Sequence, residues 1–366
     1  MFVYLDHAAT TPLCEPAKKM IMEHLEDFGN PSSSYDIGHK MKILVEEARE
    51  KVAKAINANP KEIYFTSGGS EADTWALKNR FSAGSSMEHH AIKASTSNIR
   101  PNKYGIISVN SVNEALKEVW ECYYPSLEIV SVMSVNNEIG TIQPIKEITE
   151  IVHNNEILMH TDAVQAVGHI PIDVKELDVD MLSASGHKFG SPKGVGFLYI
   201  KEGTDMSPLI YGGKQEQGIR GSTENTLGIV AMGAAIEDAV NHMSEYNEQA
   251  ELYRSKLMNY LLQDPNILIN GDMDSRVYSN LNVQIPGADA QQLVLMCNTY
   301  GICISAGSAC NEGDKTPSHV LKAIGLTDEQ ALNSIRITTG HDNTKEEIDY
   351  ACEMIPKIIA RLRDVT

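Results

Sequence analysis

The sequence predicts an α/β fold: a mainly parallel sheet flanked by helices on both faces, with a smaller α+β domain attached. Three observations carry this. Short apolar runs rich in β-branched or aromatic residues alternate with segments of helical periodicity up to about residue 200. After Thr223 the alternation gives way to an almost continuous helical pattern, and from about Arg276 a shorter second set of strands and helices begins. In such a sheet ligands bind at the carboxyl ends of the strands.

Taken in order, the strand signals are Glu62 to Thr66, Ile106 to Val109, Ile129 to Val135, Ile157 to His160, Met181 to Ala184 and Val195 to Ile200. Between them Asp36 to Ile56, Ser70 to Phe81 and Ile145 to His153 read as helices. Thr226 to Leu262 reads as one long helix, with Gly228, Ala231, Gly233, Ala234 and Ala235 letting it lie close against a neighbour before it bridges to the second domain. That domain is expected to use Ser279 to Ile285, Ile302 to Ser305 and Ile335 to Thr338 as strands, with Asp289 to Tyr300, Ser318 to Ile324 and Lys345 to Arg363 as helices. The expected division is a large domain over 15–245 and a small one made of 1–14 and 246–366.

Composition excludes several classes of partner. A net charge of -18 leaves no Lys/Arg surplus for a nucleic-acid backbone or an anionic membrane surface. Met1-Phe2-Val3-Tyr4-Leu5-Asp6 lacks the basic start of a signal peptide, and no apolar run approaches the length of a membrane span. The cysteines at 14, 122, 297, 303, 310 and 352 are widely spaced and form no CxxC pair, which points to a reducing cytosol. Small metabolites or a protein are the expected partners.

Two strand ends carry the strongest chemical signal. The run Met181-Leu182-Ser183-Ala184-Ser185 stops at Gly186-His187-Lys188, and the run Ile157-Leu158-Met159-His160-Thr161 ends in Asp162. An amine and a carboxylate about one connection apart suit pyridoxal phosphate, which needs a lysine for its Schiff base and an anion beside its ring nitrogen. The plain alternative is an exposed lysine and a helix-capping aspartate.

Other segments fit the same cofactor. Tyr64-Phe65-Thr66-Ser67-Gly68-Gly69-Ser70-Glu71 is a strand, a glycine turn and a helix start, where unpaired N–H groups can bind phosphate; an ordinary cap by Ser67 or Ser70 is the alternative. Gly221-Ser222-Thr223 could add small donors or be a plain turn. Gln165 follows Asp162 closely enough to project from the same strand end toward a ring oxygen. Either His89 or His90 could stack on a ring and move protons near neutral pH. Cys303 alternates with isoleucines as a core thiol would, whereas Cys310 lies among small and polar residues in a glycine-bearing loop that suits a travelling nucleophile.

These segments together resemble the cysteine desulfurases of the NifS/IscS type, class V aminotransferases of pyridoxal-phosphate fold-type I. The resembling stretches are Tyr4-Leu5-Asp6-His7-Ala8-Ala9-Thr10-Thr11-Pro12, Phe28-Gly29-Asn30-Pro31, Thr66-Ser67-Gly68, Asn136-Asn137-Glu138-Ile139-Gly140, Asp162, Ser185-Gly186-His187-Lys188, Ser305-Ala306-Gly307-Ser308-Ala309-Cys310 and Ser334-Ile335-Arg336. They run in order over nearly the whole chain. The resemblance implies a large domain with a seven-stranded sheet and a homodimer. It implies that Lys188 condenses with the cofactor, Asp162 holds the ring nitrogen, Gln165 contacts the phenolic oxygen and His89, rather than His90, stacks on the ring. It further implies that Gly69, Ser70, Ser185 and His187 hold the phosphate with Thr223 of the partner subunit, and that Asn137 and Arg336 sit beside the cofactor and the substrate carboxylate. L-cysteine would then give L-alanine, with its sulfur captured as a persulfide on Cys310 for an acceptor protein.

The chain departs from the family pattern twice. Between Trp75 and Ser108 it is shorter, which predicts the loss of most of two strands around His89. It also stops soon after Asp364, without the tail that scaffold-delivering members use for docking, which leaves delivery to an iron-sulfur scaffold open; iron-sulfur assembly, tRNA thiolation and cofactor sulfuration all draw on the same persulfide. Rival readings are a selenocysteine lyase, a true class V aminotransferase, and a non-catalytic protein of the same fold. A mobile thiol disfavours transamination, and the set of Lys188, Asp162, Arg336 and Cys310 disfavours the non-catalytic reading.

Overall fold

The computed structural model describes residues 1–123, 127–307 and 316–364. Its first eight strands in chain order are β1 (Val3–Tyr4), β2 (Ile63–Thr66), β3 (Ser82–Ser85), β4 (Thr96–Ile99), β5 (Ile129–Ser131), β6 (Leu158–Asp162), β7 (Met181–Ser185) and β8 (Gly196–Ile200). All but β1 form a seven-stranded sheet in the order β2-β8-β7-β6-β5-β3-β4, in which only β8 runs antiparallel to its neighbours. The helices of this part are α1 (Glu15–His24), α2 (Asp36–Ala55), α3 (Gly69–Leu77), α4 (Val109–Tyr123), α5 (Ile145–His153), α6 (Val174–Leu177) and α7 (Thr226–Asn241).

The central strands are buried on both faces, which is why β7 and β8 read as unbroken apolar or small runs rather than as alternations. On one face Ala72, Trp75 and Ala76 of α3 pack on Met181 and Leu198. On the other, Ala231, Met232 and Ala235 of α7 join Ala184 and Phe197 in the main core.

The remaining strands are β9 (Leu268–Ile269), β10 (Asn280–Gln284), β11 (Ile302–Cys303), β12 (Ser305–Ala306) and β13 (Ser334–Thr338), with helices α8 (Met243–Leu261), α9 (Ala290–Thr299), α10 (His319–Ala323), α11 (Asp328–Leu332) and α12 (Lys345–Arg363). β12, β13, β10 and β9 make an antiparallel sheet with its own core, to which Leu257, Leu281, Leu293, Ile337 and Ile355 contribute. The chain start belongs to this layer. β1 pairs in parallel with β11, and Val3 and Leu5 are buried in the same core.

Three expectations need correction. Ile106 to Val109 is not a strand: the Ile107 amide donates to the Gln143 side chain, and α4 begins at Val109. The two strands around His89 are not lost. They are β3 and β4, four residues each, and the shortening leaves the strand count at seven among the described residues. The helix from Thr226 to Leu262 breaks at His242, whose backbone leaves the helical region (φ -108°, ψ 11°) while its Nδ1 meets the Asp238 carbonyl at 3.0 Å.

Candidate active site

The carboxyl ends of β6 and β7 lie side by side, with Asp162 opposite Ser183. A short 3-10 turn, Gly186–Lys188, then reverses the chain and returns the lysine across those ends. The Lys188 ammonium donates to the carbonyls of Ala8 at 2.6 Å and Ala9 at 2.9 Å. Asp162 is buried and accepts the Val164 amide at 2.8 Å. Burial raises its pKa to about 6, against the pull of that amide and of Lys188.

Beside them β2 runs into α3 through Gly68, whose φ of +152° only glycine adopts comfortably. No side chain caps α3, so neither Ser67 nor Ser70 does so; instead Glu71 takes the Ser67 amide at 2.7 Å and pairs with Arg220 at 2.9 Å. A Cβ at Gly69 would meet Val164 at 2.7 Å, so the turn needs a residue without a side chain to sit this close to the strand ends. The uncapped N–H groups of Gly69 and Ser70 thus open onto the same space as Ser185 and His187.

That space is a cavity of about 290 Å³. It is lined by Gly69, Ser70, Ser185 and His187, by Asp162, Gln165 and Lys188, and by His89, Asn137 and Arg336. Two residues expected from the sequence are not brought in. Thr223 is exposed and does not line the cavity, and Cys310 lies outside the described residues.

Hydrogen bonds fix the polar groups. His89 Nδ1 accepts the Ala91 amide at 3.2 Å, so the neutral ring carries its proton on Nε2; burial, then His90 and Lys188, lower its pKa. His187 is held at Thr10 Oγ1, 3.1 Å away, and its pKa falls to about 4 through burial and the neighbouring Lys188 and Lys193. Gln165 donates to the Ala8 carbonyl at 2.9 Å. Arg336 donates to Asn137 O and to Asp6 Oδ1, both at 2.8 Å, and leaves a buried Nε–H with no partner among the described residues.

Among the polar lining residues, Asp73, Glu138 and His319 were given no role from the sequence. Asp73 is almost fully buried, one oxygen lacks a hydrogen-bond partner among the described residues, and burial with the nearby Asp162 charge holds its pKa well above the carboxylate range. A signal existed: Asp73 lies four residues after Gly69, on the same helical face, among Ala72, Trp75 and Ala76. Glu138 accepts the Ser318 hydroxyl at 2.5 Å, and His319 donates to the Glu88 carbonyl at 2.9 Å.

The class-V aminotransferase family model matches residues 3–351. The chain belongs to the class V aminotransferases. Among curated class V relatives, "Cysteine desulfurase IscS" of Methanosarcina thermophila is 41% identical over 384 residues, covering 100% of this chain and 93% of that protein. "Cysteine desulfurase IscS" of Clostridium botulinum strain Hall is 44% identical over 387 residues, covering 100% and 96%. A solved NifS-like protein superposes with a TM-score of 0.89 at 34% identity over 99% of this chain and 100% of its own. Another, from Rickettsia africae, gives 0.90 at 30% identity over 98% and 100%. The class V fold is therefore present over the full length, with the sheet order described above.

The lining fits the cofactor of this family. A buried carboxylate whose pKa has risen to about 6 despite the pull of Lys188 gains a closer cation from a ring nitrogen carrying a proton. Uncapped amides at the start of α3 and the orphaned Arg336 Nε–H are donors waiting for anionic groups.

Proposed function

We propose that this chain is a pyridoxal-phosphate-dependent cysteine desulfurase that converts L-cysteine to L-alanine and captures the sulfur as a persulfide on Cys310. The observation that carries the reading is the convergence of Lys188, Asp162, the α3 amides and Arg336 on one cavity, in a chain whose full-length relatives bear that name. When bound, the cofactor withdraws electrons from the substrate's Cα, which weakens the bond from Cβ to sulfur. The rest of the chemistry belongs to the chain.

Gly69, Ser70, Ser185 and His187 would hold the phosphate, and Asp162 would pair with the ring nitrogen, recovering the cost of its burial. Gln165 and Asn137 would orient the ring, and His89 would stack on it. Arg336 would take the substrate carboxylate with the N–H groups that Asn137 and Asp6 leave over. Lys188 Nζ would take the proton from the substrate's Cα. His89 holds its proton on Nε2 at rest, so it gives a proton before it accepts one from a thiol. The Cys310 thiolate attacks the substrate sulfur: a sulfur-sulfur bond forms, the bond from sulfur to Cβ breaks, and its electron pair stays with the carbon fragment that becomes alanine.

We further propose a homodimer. Met22, Leu25, Phe28 and Tyr211 are large apolar side chains left exposed, and Thr223 faces solvent where a partner's phosphate could meet it. The division into 15–245 and 1–14 with 246–366 is likewise our reading of the two cores. A thiol that cycles through a persulfide suits a reducing cytosol, and an acceptor protein of unknown identity would take the sulfur. The test is Cys310→Ser. It should keep the cofactor's absorption band and stop sulfide release from cysteine; retained desulfuration would remove Cys310 from its role.

A further inference from the structure

The segment from Asp6 to Thr11 touches more of the cavity's polar groups than any motif reading assigned to it. Asp6 pairs with Arg336, the Ala8 and Ala9 carbonyls accept from Lys188, Ala8 also accepts from Gln165, and Thr10 holds the His187 ring. This strap is the wall that aims four side chains at one place. His7 helps to fix the strap, beside the Ala8 amide on Thr338 Oγ1 and the Thr11 amide on the His187 carbonyl.

The His7 ring is buried, with Nδ1 3.0 Å from the Thr338 carbonyl and Nε2 2.7 Å from Asp342 Oδ1. A carbonyl oxygen at one ring nitrogen and a carboxylate at the other clamp His7 between the end of β13 and the turn after it. Asp342 is pushed up by burial and pulled further down by the His7 hydrogen bond and charge, and ends below the usual carboxylate range. The backbone is shaped around the pair: a Cβ at Gly340 would stand 2.3 Å from His7 Nε2 and 2.4 Å from Asp342 Oδ1. Tyr4 meets the ring edge-on at 5.0 Å, and His169 and His341 are the other titratable groups that feel its charge.

We propose that His7 is a positioning residue whose clasp on Thr338 and Asp342 holds the Ala8 and Ala9 carbonyls against the Lys188 amine and so sets the proton affinity of that amine. Two carbonyl oxygens favour the ammonium over the neutral amine, and only the neutral amine condenses with an aldehyde. Loosening the clasp lets the carbonyls retreat and frees the amine at lower pH. Of the groups that share the amine's surroundings, Asp162 and His89 are held by the Val164 and Ala91 amides outside the strap and stay in place, whereas His187 is held by Thr10 and moves with it.

The inference rests on Lys188 being the amine that takes the cofactor. The experiment strips the full-length protein of cofactor and follows the growth of its absorption band on adding pyridoxal phosphate back, as a function of pH, with thermal unfolding of each variant alongside. Asp342→Ala and Gly340→Ala should each move the midpoint of the capture-rate profile down by about 0.5–1 pH unit, a roughly three- to tenfold change in neutral amine below the midpoint. Asp342→Asn, whose amide oxygen and NH2 can still bridge to a neutral His7, should recover at least half of that shift. Variants that melt earlier yet keep the wild-type midpoint would overturn the proposal and leave the clasp as a structural brace. A wild-type chain that forms no band at any pH would overturn it together with the function on which it rests.

Discussion

Glu88 provides a quantitative test of how the cavity wall is built. Its Oε1 accepts the Ser85 hydroxyl at 2.6 Å and the Met133 amide at 3.0 Å, while its buried Oε2 has no hydrogen-bond partner among the described residues. Its carbonyl holds His319, and the next residue is His89. Burial outweighs the two hydrogen bonds and, with the Asp162 charge, raises its pKa from 4.5 to about 8. Between those values the native state keeps a proton that the unfolded chain has released, so stability falls as pH rises through the window and levels off above it. At ~1.4 kcal/mol per unit, that loss is on the order of 5 kcal/mol. Glu88→Gln removes the titration but places an unpaired NH2 at the buried position, at about 1–3 kcal/mol. The variant should therefore be the less stable protein near pH 5 and the more stable by about 2–4 kcal/mol near pH 8.5. Urea denaturation of cofactor-free protein across that range measures the difference. A difference that stays flat with pH would refute the reasoning.

Other expectations follow from the same physics. Arg49 and Glu216 form a buried bidentate pair at 2.8 and 2.9 Å, so Arg49→Met should cost about 3–5 kcal/mol in denaturant stability by stranding the carboxylate. Most of that should return when Glu216 is also made apolar. His160, wholly buried between Ser131 and Ser183, has its pKa lowered to about 3 by burial. The native state then binds fewer protons than the unfolded chain below pH 6.5, so stability drops as pH falls toward 3, and His160→Gln should flatten that acid limb of the melting profile. Asp162→Asn should raise the melting point of cofactor-free protein at pH 8 by removing a buried charge, while weakening cofactor binding at least about tenfold in equilibrium dialysis.

The parts of the site legible in the sequence were those where a run of apolar residues ends abruptly in chemistry. Asp162 and Lys188 close strands buried on both faces, so a charged residue there has no packing explanation. β3 and β4 escaped for the opposite reason. Ser-Ala-Gly-Ser and Thr-Ser-Asn-Ile carry almost no apolar signal, and their pairing is imposed by β5 and by tertiary burial. The β-branched pair Ile106-Ile107 misled in turn, because a buried apolar segment can be pinned by one side chain, here Gln143, without joining a sheet. Asp73 and Glu138 are acids buried against helix and loop, and single-sequence reading treats acids as solvated. The strap role of Asp6 to Thr11 depends on contacts with residues more than 150 positions away, such as Gln165, His187, Lys188 and Arg336, which no local pattern encodes.

The central claim is tested most directly by adding L-cysteine to cofactor-loaded protein in a single turnover and weighing the peptide that contains Cys310. The account predicts one alanine released per chain and a gain of one sulfur atom on that peptide, reversed by a thiol reductant. Alanine formed while sulfur rests on another cysteine, or no alanine from a protein that holds its cofactor, would contradict it.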